Sequence, residues 1–109
     1  MDLQTYQNLA MVTNGTKKKD EMLINACLGL SGETGEFCEH IKKSVFHGHK
    51  LELEYLKKEL GDILWYVAQG ATAIGVSLND IAAMNIAKLK TRYPEGFTTE
   101  RSVAREQKA

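Results

Sequence analysis

Residues 20–46 read DEMLINACLGLSGETGEFCEHIKKSVF, and residues 51–74, beyond a His47-Gly48-His49 turn, read LELEYLKKELGDILWYVAQGATAI. In the first stretch Leu23, Cys27, Leu30, Thr34, Phe37 and Ile41 recur in alternating steps of four and three, and in the second Leu53, Leu56, Leu60, Ile63, Val67 and Ala71 keep the same rhythm. That spacing is one face of an α-helix. Two long helices joined by a short glycine-containing turn make an antiparallel hairpin.

The flanks extend the pattern. Leu3, Tyr6, Leu9 and Ala10 predict a first helix over about residues 2–13, ended by Asn14-Gly15, with a solvated loop over Thr16 to Lys19. Asp20 is the expected N-cap of helix 2, with Glu21 favourable in its first turn. Ser77-Leu78-Asn79-Asp80 resembles a capping box and opens a fourth helix carrying Leu78, Ile81, Ala82, Ile86, Leu89 and Tyr93. The only proline, Pro94, stops it. Residues 95–109 are polar, with Phe97 and Val103 their only large apolar groups, and are expected as a C-terminal arm. The expectation is a single all-α domain over 1–109, a bundle-like four-helix chain built on the helix 2–helix 3 hairpin.

At 109 residues, with 14 basic and 14 acidic side chains and 43% hydrophobic content, the composition is that of a globular protein with one core. Zero net charge offers no electrostatic basis for nucleic acid or a membrane surface as partner. The start carries no signal-like segment and no apolar run reaches about 18 residues, so the expected location is cytoplasmic. Cys27 and Cys38, on one helix, would lie roughly 16 Å apart and beyond disulfide reach of each other, and are read as buried small hydrophobes in a reducing compartment, with pairing between chains as the alternative.

Five glycines interrupt the helices: Gly29, Gly32, Gly35, Gly61 and Gly70. Each costs about 1 kcal/mol relative to alanine in a helix interior. Three surround the acidic pair Glu33 and Glu36, and a fourth lies inside the pair Glu59 and Asp62. Either a ligand comes close to the backbone there, or a second helix does.

At about 100° per residue, each acidic pair is centred roughly 120° from its own apolar seam, in the same rotational sense on both helices. The pairs lie roughly 21 and 18 Å from the turn, nearly level. Glu33, Glu36, Glu59 and Asp62 are therefore expected to converge. Converging carboxylates repel unless a cation joins them, and an all-oxygen set favours Mg²⁺, with Mn²⁺ as a substitute. Solvation of two exposed helix faces is the alternative, though it would need neither the glycines nor the matched rotation.

On helix 4, Asn85, Lys88 and Arg92 form a stripe at i, i+3 and i+7, suited to phosphate oxygens or simply to the helix C-terminal dipole. Lys43 shares a face with Glu36 and is a secondary candidate for substrate. His47 and His49 read as solvent-exposed turn residues. His40, on the face of Glu33 and Glu36, is a candidate to support a ligand from behind. Tyr55, Trp65 and Tyr66 fall off the helix 3 seam, which suggests burial against a second subunit or, alternatively, stacking on a base.

Gly32-Glu33-Thr34-Gly35-Glu36, followed after 22 residues by Glu59-Leu60-Gly61-Asp62, resembles the Glu-x-x-Glu and Glu-x-x-Asp motifs of the MazG-like nucleotide pyrophosphohydrolases. Residues 85–94 look like the ending of small members of that group. The resemblance spans roughly residues 20–97. It implies an all-α fold, Mg²⁺ dependence, assembly as a homodimer or homotetramer, and hydrolysis of nucleoside triphosphates to monophosphate and pyrophosphate. By position it makes Glu33, Glu36, Glu59 and Asp62 metal ligands and gives the phosphates to Asn85, Lys88 and Arg92. Glu36, if not fully engaged by metal, is the expected catalytic base. Two alternatives stand beside this reading: a non-enzymatic helical interaction module, and the same fold acting on another phosphorylated metabolite such as a phosphoribosyl intermediate.

Overall fold

The structure, a computed structural model, describes residues 1–108. It contains α1 (Leu3–Ala10), a 3₁₀ turn (Met11–Thr13), α2 (Lys19–His47), α3 (Leu53–Ala73), α4 (Leu78–Arg92) and α5 (Thr99–Lys108). The chain divides into two units, Met1–Leu78 and Asn79–Ala109.

In the first unit α2 and α3 form the expected hairpin. Helix α2 starts at Lys19 with Lys18 as its cap residue, so Asp20 lies inside the first turn beside Glu21, where both acids complement the helix dipole. It ends at Gly48, whose left-handed φ of 72° lets the chain turn back. Gly75, at φ 77°, does the same after α3.

The faces that pack differ from the expected seams. On α2 the least exposed positions are Met22, Ala26, Gly29, Leu30, Glu33, Phe37, His40 and Ser44. On α3 the matching face runs through Leu56, Glu59, Ile63, Tyr66, Gly70 and Ala73. Both are centred on an acid, roughly 90° from the predicted stripe. Leu23 remains 47% exposed and Leu60 51%. Small residues explain the choice. An added Cβ on Gly70 would touch the Ala26 methyl at 3.6 Å, and one on Gly29 would run into the Tyr66 ring. The packed faces thus run along small residues, taking in Leu30, Phe37, Leu56 and Ile63 from the expected stripes and leaving Leu23, Cys27, Leu53 and Leu60 outside. Close packing accounts for Gly29, whereas a methyl at Gly70 would make only ordinary contact and the Cβ positions of Gly32, Gly35 and Gly61 face open space. Cys27 and Cys38 are exposed rather than buried, because they too lie off the packed face.

In the second half of α3 Val67 and Ala71 turn inward as expected, but Trp65, expected against a second subunit or a base, packs within the chain. Ala68 and Ala71 are buried with Leu78, and Leu3, Tyr6, Ala10, Met11 and Val67 pack against them. Trp65 is half-buried and docks within the chain: its indole N–H donates to Ala10 O (3.0 Å) and Thr13 Oγ1 (2.9 Å). Beneath it, Gln69 is 0% exposed, accepts from Asn25 Nδ2 (2.9 Å) and donates to Asn14 Oδ1 (3.1 Å). Gln7 fastens α1 to the end of α3, donating to Thr72 Oγ1 and Val76 O and accepting from the Leu78 N–H.

The four-helix expectation is one helix short. Residues 99–108 form α5, started by Thr98, whose Oγ1 accepts from the Arg101 N–H (3.2 Å). The segment is rich in good helix formers, but its one large apolar residue, Val103, gives no periodicity to read. No helix among the described residues is long and apolar enough to cross a membrane.

Candidate metal centre

Glu33 enters from α2, and Glu59 and Asp62 from α3, three residues or about one turn apart, with Asp62 at the edge of the packed face. Each offers a carboxylate oxygen, and the three oxygens lie within 4.8 Å of one another. Glu59 is 7% exposed, Glu33 half-buried and Asp62 exposed, so the cluster opens from the hairpin interior to solvent.

The interior end is unsatisfied. Oε2 of Glu33 and Oε2 of Glu59 are both buried without a hydrogen-bond partner. A buried charged oxygen lacking a donor is among the most expensive groups a fold can carry. The Glu33 carboxyl is held against that of Glu59. That contact with Glu59, then burial, then the charges of Glu36, Glu59 and Asp62, push Glu33 up to about 7. Either a proton or a cation must hold the pair together. The donors are all oxygen, and the position is partly open, which fits Mg²⁺ or Mn²⁺.

Glu36, the fourth expected acid, is exposed and outside the group of oxygens that meet. It lies about 60° around α2 from Glu33, at the rim, and its negative charge is still felt by Glu33. Lys43 is likewise exposed on α2. In the second unit Asn85, Lys88 and Arg92 share one stripe of α4, with Asn85 and Lys88 exposed and Arg92 half-buried.

His40 serves the turn. Its Nε2 accepts from the Glu52 N–H at 3.2 Å, and its ring stacks on Tyr55 with centroids 4.4 Å apart. His47 ends α2 and is exposed, as is His49.

Two tyrosines near the acids are read from the sequence in other roles, Tyr55 as an interface or base-stacking ring and Tyr6 as part of the first helix's apolar pattern. Burial first, then the charges of Glu59 and Glu36, raise the pKa of Tyr55. Its position four residues before Glu59 on α3 was the available signal. Burial, then the charge of Asp62, raise that of Tyr6. No local pattern announces Tyr6, because α1 meets α3 only through the fold. Asp62, Trp65 and Tyr66 also line a cavity of about 300 Å³ beside the acids.

A family model described as the MazG nucleotide pyrophosphohydrolase domain matches residues 23–97, a stretch that contains all eight candidate residues and ends before α5. The chain is also 35% identical over 80 residues to the "Gene 37 protein" of Mycobacterium phage L5, covering 70% of each. No solved structure matches.

Proposed function

The chain belongs to the MazG nucleotide pyrophosphohydrolase family, and from that premise we propose that it hydrolyses nucleoside triphosphates, ribo- or deoxy-, to nucleoside monophosphate and pyrophosphate with Mg²⁺ or Mn²⁺ bound. The observation that carries this reading is the pair of partnerless buried oxygens on Glu33 and Glu59, held beside Asp62.

Glu33, Glu59 and Asp62 would hold the metal, with Glu36 at the rim to complete the set or to act beside it. A divalent ion bound there supplies charge neutralisation at the phosphates and orients a water toward the α-phosphorus. Glu33, whose carboxyl is pushed up to about 7 beside Glu59, would have to be ionised to hold a cation, so proton and cation would compete for it. Glu36 is solvent-facing and free of the buried pair, which suits it to accept the proton of the attacking water. Asn85, Lys88 and Arg92, with Lys43 as a further contact, donate to phosphate oxygens. No side chain need form a covalent bond to phosphorus.

The apolar side chains left outside the hairpin, Leu23, Ile24, Leu28, Leu53 and Leu60, support assembly as a homodimer or homotetramer. The two free cysteines fit a cytoplasmic setting, and the balanced charge fits a nucleotide rather than nucleic acid or a membrane as partner.

The test is pyrophosphate release with Mg²⁺ over a panel of ribo- and deoxynucleoside triphosphates, for the native chain and for Asp62→Ala. We expect release from at least one triphosphate and its loss in the variant with the fold intact. No release from any member, or full release by Asp62→Ala, refutes the reading.

A further inference from the structure

Within the second unit, Arg92 of α4 and Arg101, Ala104 and Arg105 of α5 line a cleft of about 260 Å³. Three of its four lining residues are arginines. Arg101 and Arg105 are four residues apart, so they share a face of α5, a like-charge pairing that works against the helix. Ala104 contributes only a methyl and leaves the space between them open. Among the described residues, none of the three guanidiniums forms an ion pair. Arg92 is moreover half-buried, so its charge is only partly hydrated.

Three arginines around one concavity call for a ligand carrying several negative charges on oxygen. A single carboxylate would leave the cleft strongly positive. Each guanidinium is a planar fork that meets two phosphate oxygens at once. A nucleic-acid strand would need a longer basic track and a ring to stack its bases, and no aromatic side chain lines this cleft. We propose that the Arg92–Arg101–Arg105 cleft is a polyphosphate site, taking the pyrophosphate group of a nucleoside triphosphate or free pyrophosphate. Arg92 lies within the stretch matched by the family model, and Arg101 and Arg105 lie beyond it. The inference rests on the proposed function in one respect: it extends the phosphate role given there to Arg92.

The test is titration of the metal-free full chain with inorganic pyrophosphate, followed by calorimetry, and repeated on R101Q, R105Q and R101Q/R105Q. Saturable binding is expected, weakened about tenfold by each single change, the loss of one charge-assisted contact. Added salt should lower the affinity, and a nucleoside triphosphate should compete with pyrophosphate. Circular dichroism of the single variants checks that α5 stays helical. Glu59→Gln serves as the separating control, because it disables the acidic cluster but should leave metal-free pyrophosphate binding unchanged. If no triphosphate is hydrolysed yet pyrophosphate binds through Arg101 and Arg105, the proposed reaction fails and the cleft stands. An absence of saturable binding, or equal affinity in R101Q/R105Q, overturns the cleft. So does tighter binding of a single-stranded oligothymidine that these changes abolish, which would make it a nucleic-acid contact.

Discussion

Adding Mg²⁺ to the metal-free protein should raise its melting temperature far more at pH 8 than at pH 5. The cause is the carboxyl pair at Glu33 and Glu59. The Glu33 carboxyl proton has its ordinary pKa of 4.5 raised to about 7, chiefly by a hydrogen bond with Glu59. Below the ordinary value, folded and unfolded chains both hold that proton. Between the two values the unfolded chain releases it and the folded chain keeps it, so metal-free stability falls as pH rises through about 7. Cation and proton compete for the same oxygens. At pH 8 the cation has little competition, and a concentration about 100 times its dissociation constant adds about 2.7 kcal/mol. For a domain of this size that is a rise of about 10 °C or more. At pH 5, two units below the raised value, competition weakens apparent affinity about a hundredfold and leaves the same Mg²⁺ only half-filling the site. The rise then shrinks to roughly a sixth, about 2 °C. Differential scanning fluorimetry at both pH values, with and without Mg²⁺, reads this directly. Equal rises at the two pH values, or none at pH 8, would refute the account of the acidic cluster.

Other substitutions separate roles that the same residues could share. Glu36→Gln should lower turnover about a hundredfold or more while keeping the Mg²⁺-induced rise, since a general base is lost but the three clustered oxygens remain; full turnover removes Glu36 from the chemistry. Glu59→Gln should abolish both turnover and the metal-induced rise, and a retained rise would place the ion elsewhere. Gln69→Leu leaves Asn14 and Asn25 short of a partner and should cost about 2 kcal/mol, read as a melting temperature lower by about 10 °C. Gly29→Ala pits a helix-propensity gain of about 1 kcal/mol against forcing a methyl into the Tyr66 ring at about 1–3 kcal/mol. A net loss of stability is expected in a thermal melt, and a gain would mean that the ring moves aside easily.

Much of this molecule is legible along one dimension. Helix existence follows from spacing, so α1 to α4 lie within a few residues of where periodicity puts them, while α5 escapes because polar residues leave no stripe to detect. The acidic residues were recognisable because glycines beside carboxylates in two helices, at matched heights from one turn, are hard to explain by solvation alone. What periodicity could not decide was which face each helix turns inward. An apolar stripe states that a surface seeks cover without naming what covers it. Small residues at Ala26, Gly29 and Gly70, with the Tyr66 ring seated against Gly29, line the acid-centred faces that meet within the chain. That rotation brought Glu33 against Glu59 and Asp62 and left Glu36 at the rim. Likewise, only folding back through the loop after α4 sets Arg101 and Arg105 around the cleft that Arg92 lines. Local spacing thus determined the helices and the residue types able to hold a cation. The tertiary structure decided which of them meet, because contact between helices depends on side-chain volume on both partners at once.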